Sequence, residues 1–249
     1  MPDRPRTRRA AVFVTCIVDQ LYPQIGWATV ALLERQGVAV EVPRGLTCCG
    51  QMGFNAGFQP QAREVARYTL DVLRDQGDVV LPSGSCAAMM RHLYHELFRD
   101  TPERAAAAEL ARRTYELTEY LVDVLGVTDT GATYNGRITY HDACHGLRYL
   151  GLRRQARVLL SQVRGAELVE LPGGQECCGF GGLFAVKHAP ISEAMLARKL
   201  QQIAETGADL VVTGDASCMT QIAGALSRRQ SRLKVRHIAE VLVNAVDRR

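Results

Sequence analysis

"GVAVEVPRGLTCCGQMG", Gly37 to Gly53, and "GAELVELPGGQECCGFGG", Gly165 to Gly182, read as two versions of one stretch. In each, an apolar run passes through a proline, Pro43 or Pro172, to two adjacent cysteines and a glycine, Gly50 or Gly179. Working outward, the chain's eight cysteines form two sets in the same order: single, adjacent pair, single. The first set is Cys16, Cys48, Cys49 and Cys86; the second is Cys144, Cys177, Cys178 and Cys218. Matching members are displaced by 128, 129, 129 and 132 residues, and near-constant offsets of this kind mark an internal duplication. The ends of the two halves also correspond, with "EYLVDVLG" from Glu119 and "EVLVNAVD" from Glu240.

Short apolar runs alternate with helical patterns in both halves. The first half reads as a strand at Ala11 to Thr15, a helix at Gln24 to Gln36, a strand at Val38 to Val42, a helix at Gln61 to Gln76 and a strand at Val79 to Leu81. The second repeats this with Ile138 to Tyr140, Arg153 to Val163, Leu168 to Leu171, Ile191 to Thr206 and Leu210 to Thr213. Such alternation implies βαβ units and a mostly parallel sheet. The expected fold is α/β, two duplicated lobes related by a pseudo-twofold axis, with domains at 1–130 and 131–249. Turn residues in "GVTDTGATYNGR", Gly126 to Arg137, place the join there. "TPERAAAAELARRTYELT", Thr101 to Thr118, has no counterpart in the second half and reads as a surface helix.

With 249 residues the chain can bury a core without cross-links, so the cysteines are not needed as staples. Thirty basic against 26 acidic residues leave +4 without a basic run, which implies neither nucleic acid nor an anionic membrane as partner. An Arg pair precedes the apolar run Ala10 to Val18, but that run is nine residues long and reads as a buried first strand rather than a signal peptide. No uncharged apolar stretch approaches the length of a membrane span. A cytoplasmic, reducing compartment is expected, where clustered cysteines bind metal or do redox work.

The cysteines fall at the ends of strands. Cys16 and Cys144 close the first strand of each half, each pair follows a strand, and Cys86 and Cys218 follow "LPSGSC" and "VTGDASC". Ligands of open parallel sheets bind at the carboxyl ends of the strands, so four sulfurs per lobe should converge there. Four thiolates suit zinc or an iron–sulfur cluster. The tight C-x2–4-C knuckles of structural zinc are absent, and adjacent cysteines fit different irons of one cluster better than two vertices of a small tetrahedron. The small glycines would let backbone N–H groups approach the inorganic sulfur of a cluster, and helix N-termini just past Gly50, Ser85 and Ser217 favour an anionic group.

Through "FVTCIVDQLYP", "CCGQMGFNAG", "PSGSCAAMMR", "YELTEYLVDVLGV", "CCGFGGLFAVKHAPIS" and "HIAEVL", the chain resembles the cysteine-rich CCG-domain family. That family includes the CCG-domain chain of heterodisulfide reductase, the glycolate oxidase iron–sulfur subunit and the lactate-utilisation A proteins, to which the resemblance is strongest. The resemblance implies iron–sulfur clusters, two of [4Fe-4S] type, ligated by Cys16, Cys48, Cys49 and Cys86 and by Cys144, Cys177, Cys178 and Cys218. It implies a cytoplasmic oxidoreductase complex that converts L-lactate to pyruvate, with lactate-utilisation proteins B and C or equivalent iron–sulfur subunits as partners. A small 2-hydroxy acid is then a possible ligand. In the heterodisulfide reductase chain each domain ends in C-x-x-C and binds a non-cubane cluster through five cysteines; here the last position is Met89 in the first half and Gln221 in the second. Alternatives are a glycolate- or heterodisulfide-type redox subunit and a zinc-stabilised scaffold.

"HDACH" puts His141 and His145 near Cys144 as candidate proton carriers, although such residues also serve simply to orient a ligand loop. Lys187 and His188 are candidates for binding a carboxylate, against the plainer reading of a solvated helix face. His92 and His95 suggest an ordinary helix face, and Trp27, Met52, Met89 and Met90 suggest core or cluster packing. No G-x-G-x-x-G follows the first strand, so nicotinamide and flavin lack a motif.

Overall fold

A computed structural model describes residues 8–244. Residues 1–7 and 245–249 lie outside this range, including the end of "EVLVNAVD" and part of the N-terminal basic stretch.

Two four-stranded sheets form, both entirely parallel. The first contains β1 (Arg9–Val12), β2 (Ala39–Glu41), β3 (Asp78–Leu81) and β4 (Thr114–Glu116) in the order β2-β1-β3-β4. The second contains β5 (Thr133–His141), β6 (Arg164–Val169), β7 (Leu210–Thr213) and β8 (Lys234–His237) in the order β6-β5-β7-β8. The orders are the same after a shift of four strands, which is the duplication expressed as topology. Register agrees too: Ala11 pairs with Val79 as Thr139 pairs with Val211.

The central strands β1, β3 and β7 and the last four residues of β5 are largely buried, as parallel strands covered on both faces are, whereas β2 and β6 at one edge of each sheet are largely exposed. Successive residues of β1 serve different cores. Ala10 and Val12 join a core shared by both lobes, while Ala11 and the following Phe13 join one whose buried residues all come from the first lobe, with Leu150 of the second packed against it. Ile138 and Tyr140 of β5 enter the same shared core.

That shared core is closed by helices crossing between lobes. Helix Pro23–Arg35, which follows β1, packs on Ile238–Leu242 at the end of the second lobe; Gln155–Ser161, which follows β5, packs on Leu117–Glu119 of the first. The terminal turns share a device. Glu116 caps Leu117–Glu119 in a capping box with Glu119, and His237 caps Ile238–Leu242 in a capping box with Glu240.

Three expectations need correction. Strands β4 and β8 were not anticipated, because three or four residues bounded by helix-forming or charged sequence carry too little period-two pattern. The predicted join Gly126 to Arg137 runs into β5, which begins at Thr133 and carries a register shift between Thr133 and Gly136 that accommodates the glycine at φ +146°. Trp27 is not core: helix Pro23–Arg35 buries Ile25, Ala28, Thr29, Leu32 and Leu33, and Trp27 on its other face is 75% exposed. Helix Arg104–Arg112 does lack a counterpart, but it lies against the first lobe's core through Ala107 and Leu110.

Candidate metal centre

Cys16 and Cys144 are the first residues of helices Cys16–Leu21 and Cys144–Tyr149 rather than the ends of strands. Each helix packs on the other lobe: Cys144–Tyr149 meets Gly84–Ala88, which carries Cys86, and Cys16–Leu21 meets Ala216–Arg228, which carries Cys218. A methyl group on Gly84 would come within 3.1 Å of the Gly146 Cα, so the first of these crossings is backbone against backbone. This exchange brings all eight thiols to the lining of one cleft, with a cavity of about 110 Å³. It lies at the carboxyl ends of β1 and β3 and of β5 and β7, where parallel sheets of this order place their ligands.

Adjacent cysteines part company in both lobes. Cys48 Sγ lies 3.8 Å from Cys16 Sγ, and both are half-buried; Cys49 turns inward beside buried Cys86. In the second lobe Cys177 lies 3.8 Å from Cys144, while buried Cys178 lies 3.4 Å from buried Cys218. All eight cysteines are free thiols. The displacement of 132 for Cys218 does not put it out of reach. The extra residues go largely into helix Ala189–Glu205, 17 residues long against 14 in Gln59–Val72, and leave the last cysteine in place.

The glycine after each pair has two duties. Gly50 and Gly179 sit at φ +82° and +88°, in the left-handed region that disfavours a side chain. A Cβ there would lie 3.0 Å from the Ala62 carbonyl oxygen and 2.7 Å from that of Ser192. In this conformation the Gly50 N–H donates to Cys48 Sγ and the Gly179 N–H to Cys177 Sγ, both at 3.4 Å. One thiolate per quartet is thereby favoured. Hydrogen bonds from Cys16, Cys49 and the Gly50 N–H draw Cys48 down to about 3, and the equivalent bonds from Cys144, Cys178 and Gly179 draw Cys177 down to about 2.

The sequence matches the family described as Cysteine-rich domain, CCG, over residues 10–91 and 138–223, one match in each lobe. The chain belongs to this CCG family. Among relatives, lactate utilization protein A of Bacillus subtilis is 46% identical over 235 residues, covering 94% of this chain and 98% of that protein. The protein of the same name from Geobacillus kaustophilus matches at the same identity and coverage. A solved glutamate racemase isoform from Bacillus anthracis overlays on 97% of this chain and 80% of its own at 8% identity, with a TM-score of 0.36, too loose to carry an argument.

Asp215, which sequence reasoning passed over, ties the two CCG lobes together at the cleft. Buried, it caps helix Ala216–Arg228 through Ser217 N at 3.0 Å and also accepts from the Ser85 N–H at 2.9 Å and the Ser83 hydroxyl at 3.1 Å across the lobe boundary. The available signal was "GDASC" against "PSGSC": an acid where the first lobe has Ser83, itself the cap of its own helix through Cys86 N. Carbonyls of the first pair are braced as well, Cys48 O by Thr69 and Cys49 O by Tyr94.

The positions of the family's last cysteine are otherwise employed. Met89 is fully buried in the first lobe's core, and Gln221 donates to Ser192 Oγ at 3.0 Å, which in turn donates to Gly179 O at 2.8 Å. Met52 lines the cleft. Of the histidines, His145 lines the cleft, stacked on Tyr149 with its Nδ1 3.5 Å from Cys144 Sγ. His141 lies behind the lining, fully buried, and burial followed by the Lys199 charge pushes it down to about 3. Asp142 between them is gripped by Arg157 through two bonds of 2.9 Å. Lys187 lies outside the cleft, its ammonium 5.1 Å from the centre of the Phe58 ring; exposed His188 packs on Phe184. His92 and His95 are exposed on their helix.

The donor set fits a thiolate-held metal group. Each quartet stands as two sulfur pairs, an outer one 3.8 Å apart and an inner one that is 3.4 Å apart in the second lobe. One thiolate in each is favoured by its cysteine neighbours and by a glycine N–H, and such a set of soft donors suits a metal group bound through several thiolates.

Proposed function

We propose that the chain is the iron–sulfur electron-transfer subunit of a cytoplasmic complex that oxidises L-lactate to pyruvate, with proteins equivalent to lactate-utilisation proteins B and C as partners. The observation that carries this is the pair of equivalent thiol quartets on one cleft. The names of the relatives supply the substrate. Cys16, Cys48, Cys49 and Cys86 would hold one [4Fe-4S]-type group and Cys144, Cys177, Cys178 and Cys218 the other. When bound, such a group takes up and releases one electron at a time.

The chain's own residues perform three tasks. Cys49, Cys86, Cys178 and Cys218 fasten the inner side of each site away from water, and Cys16, Cys48, Cys144 and Cys177 present the outer side to the cleft. Asp215 fixes the separation of the quartets by holding both last-cysteine helices at their N-termini. His145 is placed at the cleft to hold or pass a proton. Oxidation of lactate to pyruvate releases two electrons and two protons, and two one-electron sites match that electron count.

No helix among the described residues is long and apolar enough to cross a membrane. The division into domains at 130/131 belongs to the same proposal, each domain supplying one quartet. The test is iron, sulfide and zinc content of the anaerobically purified chain, with its absorption spectrum. About eight irons and eight sulfides per chain, as two [4Fe-4S] groups need, with reduction by lactate once the partner proteins are added, is the expected result. Reduction by glycolate or a disulfide instead would move the substrate assignment, and zinc without sulfide would replace the redox role with a scaffold.

A further inference from the structure

Equivalent strands of the two lobes end on different rings. Phe13 follows β1, and His141 closes β5 at the matching position. Phe13 packs with Cys49 and Cys86 inside the first lobe. His141, 0% exposed, meets Cys178 and Cys218: a ring nitrogen and the two sulfurs all lie within 4.8 Å of one another. Neither ring nitrogen has a hydrogen-bond partner.

A buried polar group without a partner costs about 1–3 kcal/mol, so an unpaired imidazole calls for a reason. Packing is not the reason, because the first lobe fills the same place with phenylalanine. An imidazole facing two thiols 3.4 Å apart is instead a mixed nitrogen and sulfur donor set, of the kind that holds zinc and iron. Gln221, where the family's last cysteine would stand, is committed to Ser192 and leaves that role open.

We propose that His141 donates a ring nitrogen to the metal group of the second quartet, making that site four cysteines and one histidine while the first, with Phe13, remains four cysteines. This rests on the reading that the quartets hold iron–sulfur groups. A neutral imidazole among anionic thiolates raises the reduction potential. The second lobe therefore holds the higher-potential group, and electrons run from the first lobe to the second.

The test is pulsed EPR of the whole chain, purified anaerobically, reduced, and labelled with [15N]histidine. The expected result is a coupling of the strength of a directly bound imidazole nitrogen that changes with the label and disappears in His141→Phe, whose shape the first lobe already accommodates. His141→Cys, a second variant that offers a thiolate in place of the nitrogen, should keep the iron, lose the coupling and lower the second group's midpoint potential. Full iron content with no such coupling, with only the weak coupling of a hydrogen bond to sulfur, or with a coupling that persists in His141→Phe overturns the inference and leaves the proposed function standing. A chain that binds no iron overturns both.

Discussion

Glu116 is a buried acid at a helix cap, and its balance of forces can be read atom by atom. Its carboxylate accepts from Thr118 N at 2.7 Å and Glu119 N at 3.2 Å, bonds that favour the charged form, yet burial outweighs them and raises it to about 7. Between about 4.5 and 7 the folded chain keeps a proton that the unfolded chain has lost, so this residue makes stability fall as pH rises through that window. Its counterpart His237 acts oppositely. Burial lowers it to about 4, so its contribution is lost as pH falls from 6.5 towards 4. Glu116→Gln keeps the acceptor oxygen and removes the titration. Chemical denaturation of the anaerobic protein should show the variant gaining on the parent by on the order of 3 kcal/mol between pH 5 and pH 8; a gain independent of pH would contradict the assignment. At this scale the sequence was legible where residue type alone implied chemistry, as with the eight cysteines in two matching sets. It was silent on Glu116, Asp215 and the unpaired state of His141, because burial and partners are set by residues distant in the chain, as Ser83 in the first lobe is for Asp215 in the second.

Within elements, the turn after each cysteine pair is the part that sequence predicted best. The glycine was expected to let a backbone N–H approach inorganic sulfur; Gly50 and Gly179, at positive φ, donate to the cysteine Sγ atoms instead. Gly179→Ala forces a Cβ to 2.7 Å from a backbone carbonyl oxygen that cannot swing aside. The strained conformation alone costs about 1–3 kcal/mol. The expected outcome is a lower melting temperature and loss of metal from the second quartet with the first retained. Gly224→Ala, inside helix Ala216–Arg228 with nothing near its Cβ, is the control: it should keep the metal and leave the melting temperature the same or higher. Metal content equal in the two variants would show that the turn does not govern the site. The short strands β4 and β8 were not legible at this scale, since their identity comes from the neighbouring strands β3 and β7 that they pair with.

For the molecule as a whole, the shared core decides how the lobes behave. Leu32 is fully buried in it, on a first-lobe helix that packs against the second lobe's last helix. Leu32→Ala should cost about 2–5 kcal/mol, and because the core is common, both lobes should lose it together. Thermal melts followed by backbone ellipticity and by visible absorption should then coincide and shift downward as one transition. Two separated transitions would mean the lobes are independent. The sequence by itself determined the duplication, the α/β class and the eight thiols, because local period and repeated flanks survive in one dimension. Only the tertiary structure decided that each lobe's first cysteine helix crosses to the other lobe, that both quartets share one cleft, and that His141 faces Cys178 and Cys218. Those facts follow from which apolar faces bury against which, and that choice is made between segments far apart in the chain.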